Sequence, residues 1–86
     1  MNVEDVKAVI RDGREAIGRA QEMIEQIASD AAETESAARA TSHDSEHSEV
    51  VKGLNSLGQA IYETELTIRR LDEANDGASQ YLAALG

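Results

Sequence analysis

His43 and His47 are the residues best suited to chemistry in this 86-residue sequence, standing four apart with Asp44, Glu46 and Glu49 around them. On a helix the two imidazoles would share a face, and with one carboxylate they could hold a tetrahedral Zn²⁺. Nothing around them marks a closed ligand shell or a cavity, and short motifs of this kind recur often without metal. The expectation is therefore a pair of solvated turn residues and no metal site.

Carboxylates are the second set of candidates, as in Glu63 with Glu65 or Asp72 with Asp76. General acid–base work needs such groups in a pocket that perturbs their protonation, and on a long helix they lie on open faces. No serine or histidine sits in a nucleophile elbow. The chain has no Cys, so no thiolate can act as nucleophile or metal ligand. These observations lead us to expect no catalytic residues, no cofactor and no small-molecule substrate: not an enzyme.

The charge balance excludes further classes. Seventeen Asp and Glu against eight Lys and Arg give a formal charge of -9, which repels phosphate backbones and anionic lipid. Neither nucleic acid nor membrane is an expected partner. The opening residues Met1 to Val6 lack the basic-then-apolar layout of a signal peptide, and no apolar run approaches the length of a membrane span. A cytoplasmic location is expected, or export that reads no cleaved signal.

The elements that must position these residues are helices. Pro, Phe and Trp are absent, and Ile, Leu, Val and Ala supply most of the apolar content. From Val50 to Leu85 the seam residues are Val50, Leu54, Leu57, Ile61, Thr64, Ile68, Leu71, Asn75, Ala78, Leu82 and Leu85, alternating steps of four and three. That spacing is a coiled-coil seam. Earlier in the chain Val3, Ile10, Ile17, Ile24, Ala31 and Ala38 recur every seven residues. Val6, Gly13, Ala20, Ile27, Thr34 and Thr41 follow three residues after each, making a second seam.

Between the seams runs the polar stretch Thr41 to Ser48, whose side chains compete for backbone hydrogen bonds. The expected fold is all-α: a two-helix antiparallel coiled-coil hairpin forming one domain over 1–86. Its first helix spans about 3–40, or ~57 Å at ~1.5 Å per residue, its turn about 41–46 and its second helix about 47–85. Asn2 is the expected cap of the first helix and Ser45 of the second. Asn75-Asp76-Gly77 carries a turn signal, but the seam stays in phase across it, so a continuous helix is preferred over a kink.

A turn centred near Asp44 pairs Ile17 with Leu71, Ala31 with Leu57 and Ile27 with Ile61. It also sets Gly13 against Asn75, a register-setting layer in which the missing side chain makes room for the amide. The two flanks of that seam differ. On one, Lys7, Arg14 and Gln21 face Glu65, Asp72 and Ser79, and a solvated edge with Arg14 to Asp72 contacts is expected. On the other, Val9, Ala16, Met23 and Ala37 share an edge with Ala60, Thr67, Ala74 and Tyr81, interrupted in the first helix by Asp30. An uncovered apolar strip of this kind implies a partner, and a second hairpin laid on it would complete a four-helix bundle. A homodimer or a related helical hairpin is the expected partner.

In length, acidity, Ala content and midpoint polar turn, the chain resembles the early-secreted W-x-G-class helical-hairpin proteins exported by type VII secretion systems. That family carries W-x-G in the turn, where this sequence reads His43-Asp44-Ser45-Glu46-His47, and Y-x-x-x-D/E after the second helix, where Tyr81 is followed by Leu85. In His47, Val50, Leu54 and Tyr81 it is closer to small uncharacterised actinobacterial hairpin proteins that lack W-x-G. The resemblance implies a chaperone-like or adaptor role beside type VII or toxin loci. A second reading, from charge alone, is an acidic inhibitor or immunity-type protein that occupies a basic site on its target.

Overall fold

In the computed structural model, which covers residues 1–86, the chain is a helical hairpin of α1, Val3–Ser42, and α2, Ser48–Leu85, with no strands. The molecule measures 63 × 17 × 15 Å. Both helices are unbroken, and α2 passes through Asn75-Asp76-Gly77 without a kink-forming interruption. The seam holds its phase there, and the apolar layers on either side keep the backbone helical.

Local chemistry fixes the helix ends. Asn2 closes a capping box: its Oδ1 accepts from the Asp5 N–H at 2.8 Å, and its own N–H donates to Asp5 Oδ2 at 3.2 Å. Glu4 and Asp5 add acidic charge in the first turn, where the helix dipole favours it. At the start of α2 the cap is His47, not Ser45. The Nδ1 of His47 accepts from the Glu49 N–H, and Ser45 Oγ accepts from the His47 N–H, each at 3.2 Å. Helix α1 also runs through Ser42, so the turn is shifted toward His47.

Helix α2 presents the seam its spacing predicts. Every residue from Val50 through Leu54, Leu57, Ile61 and on to Leu85 in that row is half-buried. Helix α1 does so in part. Ile10, Ile17, Ile24, Ala31 and Ala38 are half-buried, and so are Arg14, Gln21, Ala28, Glu35 and Ser42 in the next row, where Lys7 is the most enclosed. The second expected row is split: Val6 and Ala20 are half-buried, whereas Gly13, Ile27, Thr34 and Thr41 are exposed and Ile27 retains 57% of its surface.

Polar contacts across the seam run past the expected level. Lys7 Nζ donates to the Gly86 carbonyl and Gln21 Nε2 to Asp72, while Glu35 Oε2 lies over Gly58. Arg14 bonds Asn75 close to the height that a turn at Asp44 predicts, and the longer reaches are those of extended side chains lying along the seam. Ile27 shares a groove with Ala60 and Thr64, the neighbours of Ile61 on α2.

Polar matching accounts for the rotation of α1. Rotating α1 brings Lys7, Arg14 and Gln21 to acceptors on α2 that they would otherwise miss, while their alkyl stems cover the seam. Asn75 is thus satisfied by Arg14 and has no need of an empty site at Gly13, which lies exposed. A Cβ at Gly58 would lie 3.0 Å from Glu35 Oε2 and 3.8 Å from Arg39 Nη2, so a larger residue there requires the tip of the Glu35 side chain to shift.

Candidate docking face

Rotation of α1 leaves the outer part of its apolar arc uncovered. The rows of Val9, Val6 and Ile10 together span about 100° of helix circumference; the Ile10 row faces α2, with Val6 and Ala20 half-buried beside it. The rest continues outward from the seam as a flank. Val9, Met23 and Tyr81 keep 61%, 67% and 53% of their surface there. Ala16, Ala37, Ala60 and Ala74 are exposed on the same flank, and Thr67 is half-buried with its hydroxyl donating to the Glu63 carbonyl at 3.0 Å.

Sequence reasoning missed one large member of this flank. Ile27 joins it, and a shallow groove of about 270 Å³ opens beside it, lined by Ile24, Ile27, Ala60, Glu63, Thr64 and Thr67. Gly13, expected opposite Asn75, is exposed, and Asn75 accepts from Arg14. The signal for Ile27 lies in the neighbouring row, where Arg14 and Gln21 need acceptors that only inward rotation supplies.

The flank is poor in charge. Along α1 its two rows, running from Val6 to Thr41, carry only Asp30, and along α2 the rows from Gly53 to Ala84 carry only Glu63 and Arg70. The other side of the hairpin bears Arg11, Glu15, Glu22, Glu25, Arg69 and Asp76 among others. Arg14 is not solvated as expected but spans the seam to Asn75, and Gln21 takes the contact with Asp72. A second hollow of about 310 Å³ on that side, lined by Arg11, Arg14, Glu15 and Asn75, has no apolar wall.

The two histidines are occupied with the ends of the helices. His43 Nδ1 donates to the Ala40 carbonyl at 2.9 Å, while its Nε2 stands 3.2 Å from Asp44 Oδ2. His47 caps α2, and no three His, Asp or Glu side chains converge as a ligand set. The four ion pairs all join residues within four positions of one another and none ties α1 to α2. No helix is long and apolar enough to cross a membrane.

Fold and face together define a class: an acidic two-helix hairpin with one apolar flank left open. Compared with protein-family models, with characterised proteins and with solved structures, the chain matches none.

Proposed function

We propose that this hairpin is a non-enzymatic protein–protein interaction module that docks its apolar flank on a second helical hairpin, its own copy or a related chain. One observation carries the reading. The isolated hairpin leaves every apolar side chain of its seam only half-buried, while Val9, Met23, Ile27 and Tyr81 stay more than half exposed along one edge. Each Å² of apolar surface left in water forgoes about 25 cal/mol, so covering that edge supplies stability the hairpin cannot generate alone.

The resemblance to type VII-associated hairpins supports a finer reading, an adaptor or chaperone-like partner in secretion. Replacing Ala16 and Ala60 by Glu tests the docking reading, because charge and bulk then enter the flank and leave the seam intact. Sedimentation is expected to show association of the wild type and a helical, monomeric double variant. Association that survives both substitutions would place the interface elsewhere.

The charge of -9 favours one competing reading, an acidic inhibitor that covers a basic target site. Salt separates the two. Raising ionic strength from 0.1 to 1 M shortens the screening length from ~10 to ~3 Å, which releases an electrostatic mimic and leaves an apolar interface in place.

A further inference from the structure

We propose that the hollow between Arg11, Arg14, Glu15 and Asn75 binds a single hydrogen phosphate ion, which ties α1 to α2 on the side of the hairpin away from the apolar flank.

Uncommitted donors mark the site. The hollow measures about 310 Å³, has no apolar wall and is lined by two guanidiniums, one carboxylate and one amide. Arg14 commits Nε to Asn75 Oδ1, which leaves its two terminal nitrogens and the Asn75 amide nitrogen for a ligand. Neither arginine stands in any of the four ion pairs of a chain that holds seventeen Asp and Glu. Arg11 and Glu15, four apart on α1 and opposite in sign, both line the hollow and yet do not pair with each other. Two cations three apart on a helix repel, and an anion held between them removes that cost. Arg14 and Asn75 are half-buried and held by their mutual bond, so this part of the wall is set before a ligand arrives.

The donor set selects the ligand. Guanidinium forks match the oxygens of carboxylates and phosphates. A carboxylate offers only two oxygens to two forks and an amide on different walls, whereas a tetrahedral oxyanion offers four. Glu15 then separates phosphate from sulfate. An ionised carboxylate can only accept, so it favours a ligand that keeps a proton at neutral pH, as hydrogen phosphate does and sulfate does not. Charge favours a free ion over a phosphate carried on a large polyanion. Asp72, Glu73 and Asp76 flank Asn75 along α2 and repel the extended charge of nucleic acid or a lipid surface. None of them lines the hollow, and a single ion inside it meets the arginines well within a screening length of ~10 Å at 0.1 M salt. No ion pair of the hairpin joins α1 to α2, so the bound phosphate supplies the missing charged link.

The test is a titration of the full chain with sodium phosphate at fixed ionic strength, followed by the side-chain N–H signals of Arg11, Arg14 and Asn75 and by Tm. Saturable shifts of all three residues are expected, with a Tm that rises as the site fills. Sulfate should bind about tenfold more weakly. Arg11→Gln, at an exposed position outside the seam, should stay helical and bind phosphate about tenfold more weakly than the wild type. Glu15→Gln should bring sulfate to the level of phosphate, because an amide donates to an oxygen that carries no proton. Equal binding of the two anions by the wild type overturns hydrogen phosphate as the ligand. Shifts that never saturate, or that persist unchanged in Arg11→Gln, overturn the site. Tighter binding of glycerol phosphate than of inorganic phosphate overturns the free ion as occupant.

Discussion

Arg14 of α1 donates through Nε to Oδ1 of Asn75 in α2 at 2.9 Å, a side-chain bond across the middle of an otherwise aliphatic seam. Both residues are half-buried and each satisfies the other. Slipping the helices by one turn would part them. The bond therefore selects a register more than it adds stability.

Removing only one partner should cost more than removing both. Asn75→Ala leaves Arg14 unpaired in the seam and is expected to lower stability by about 1 kcal/mol, or several degrees in Tm for a domain this size. Converting both residues to Leu should recover that loss or exceed it. The same double variant should lose register uniqueness, visible as mixed crosslinks between introduced cysteines.

The register itself is measurable. Arg14→Cys paired with Asn75→Cys should close a disulfide within one chain, because those two side chains meet across the seam. Arg14→Cys paired with Leu71→Cys, about one turn away, should close far more slowly. The reverse order of rates would overturn the register that the Arg14–Asn75 bond marks.

Helix α2 was legible in full because its apolar residues form one narrow arc, and a narrow arc can face only one way. Helix α1 was not. Its arc includes Val9, Met23 and Ile27 as well as Ile10, Ile17 and Ile24, which is wider than one seam, and periodicity cannot say which edge of a wide arc meets the partner helix. Pairwise chemistry settled it: Lys7 reaching the Gly86 carbonyl and Gln21 reaching Asp72 are properties of two positions together. Val9, Ala16, Met23, Ala60, Ala74 and Tyr81 all remain exposed, as a strip outside the seam requires. The Asn2 cap was readable because Asn2 and Asp5 have the spacing of a capping box, whereas His47 is an uncommon cap that composition does not favour over Ser45.

That unusual cap can be tested directly. His47→Ala removes the acceptor for the Glu49 N–H and is expected to cost about 0.5–1 kcal/mol of thermal stability. His47→Asp should match or exceed the wild type, since a carboxylate both accepts the bond and complements the helix dipole. Equal stability of all three would mean that the first turn of α2 is satisfied by water alone.

Gly53 separates the needs of the helix from those of the interface. Within the hairpin a methyl group at Gly53 meets nothing within 4 Å, and the same holds at Gly18, which sits on the far side of the α1 seam. Either change to Ala should strengthen the isolated helix by up to ~1 kcal/mol through backbone entropy and propensity. Under associating conditions the two should part. Gly18→Ala should raise Tm at every protein concentration, whereas Gly53→Ala, on the proposed docking flank, should raise it only in dilute solution and weaken association, because the added methyl enters the contact. If both variants stabilise the associated form equally, Gly53 lies outside that contact.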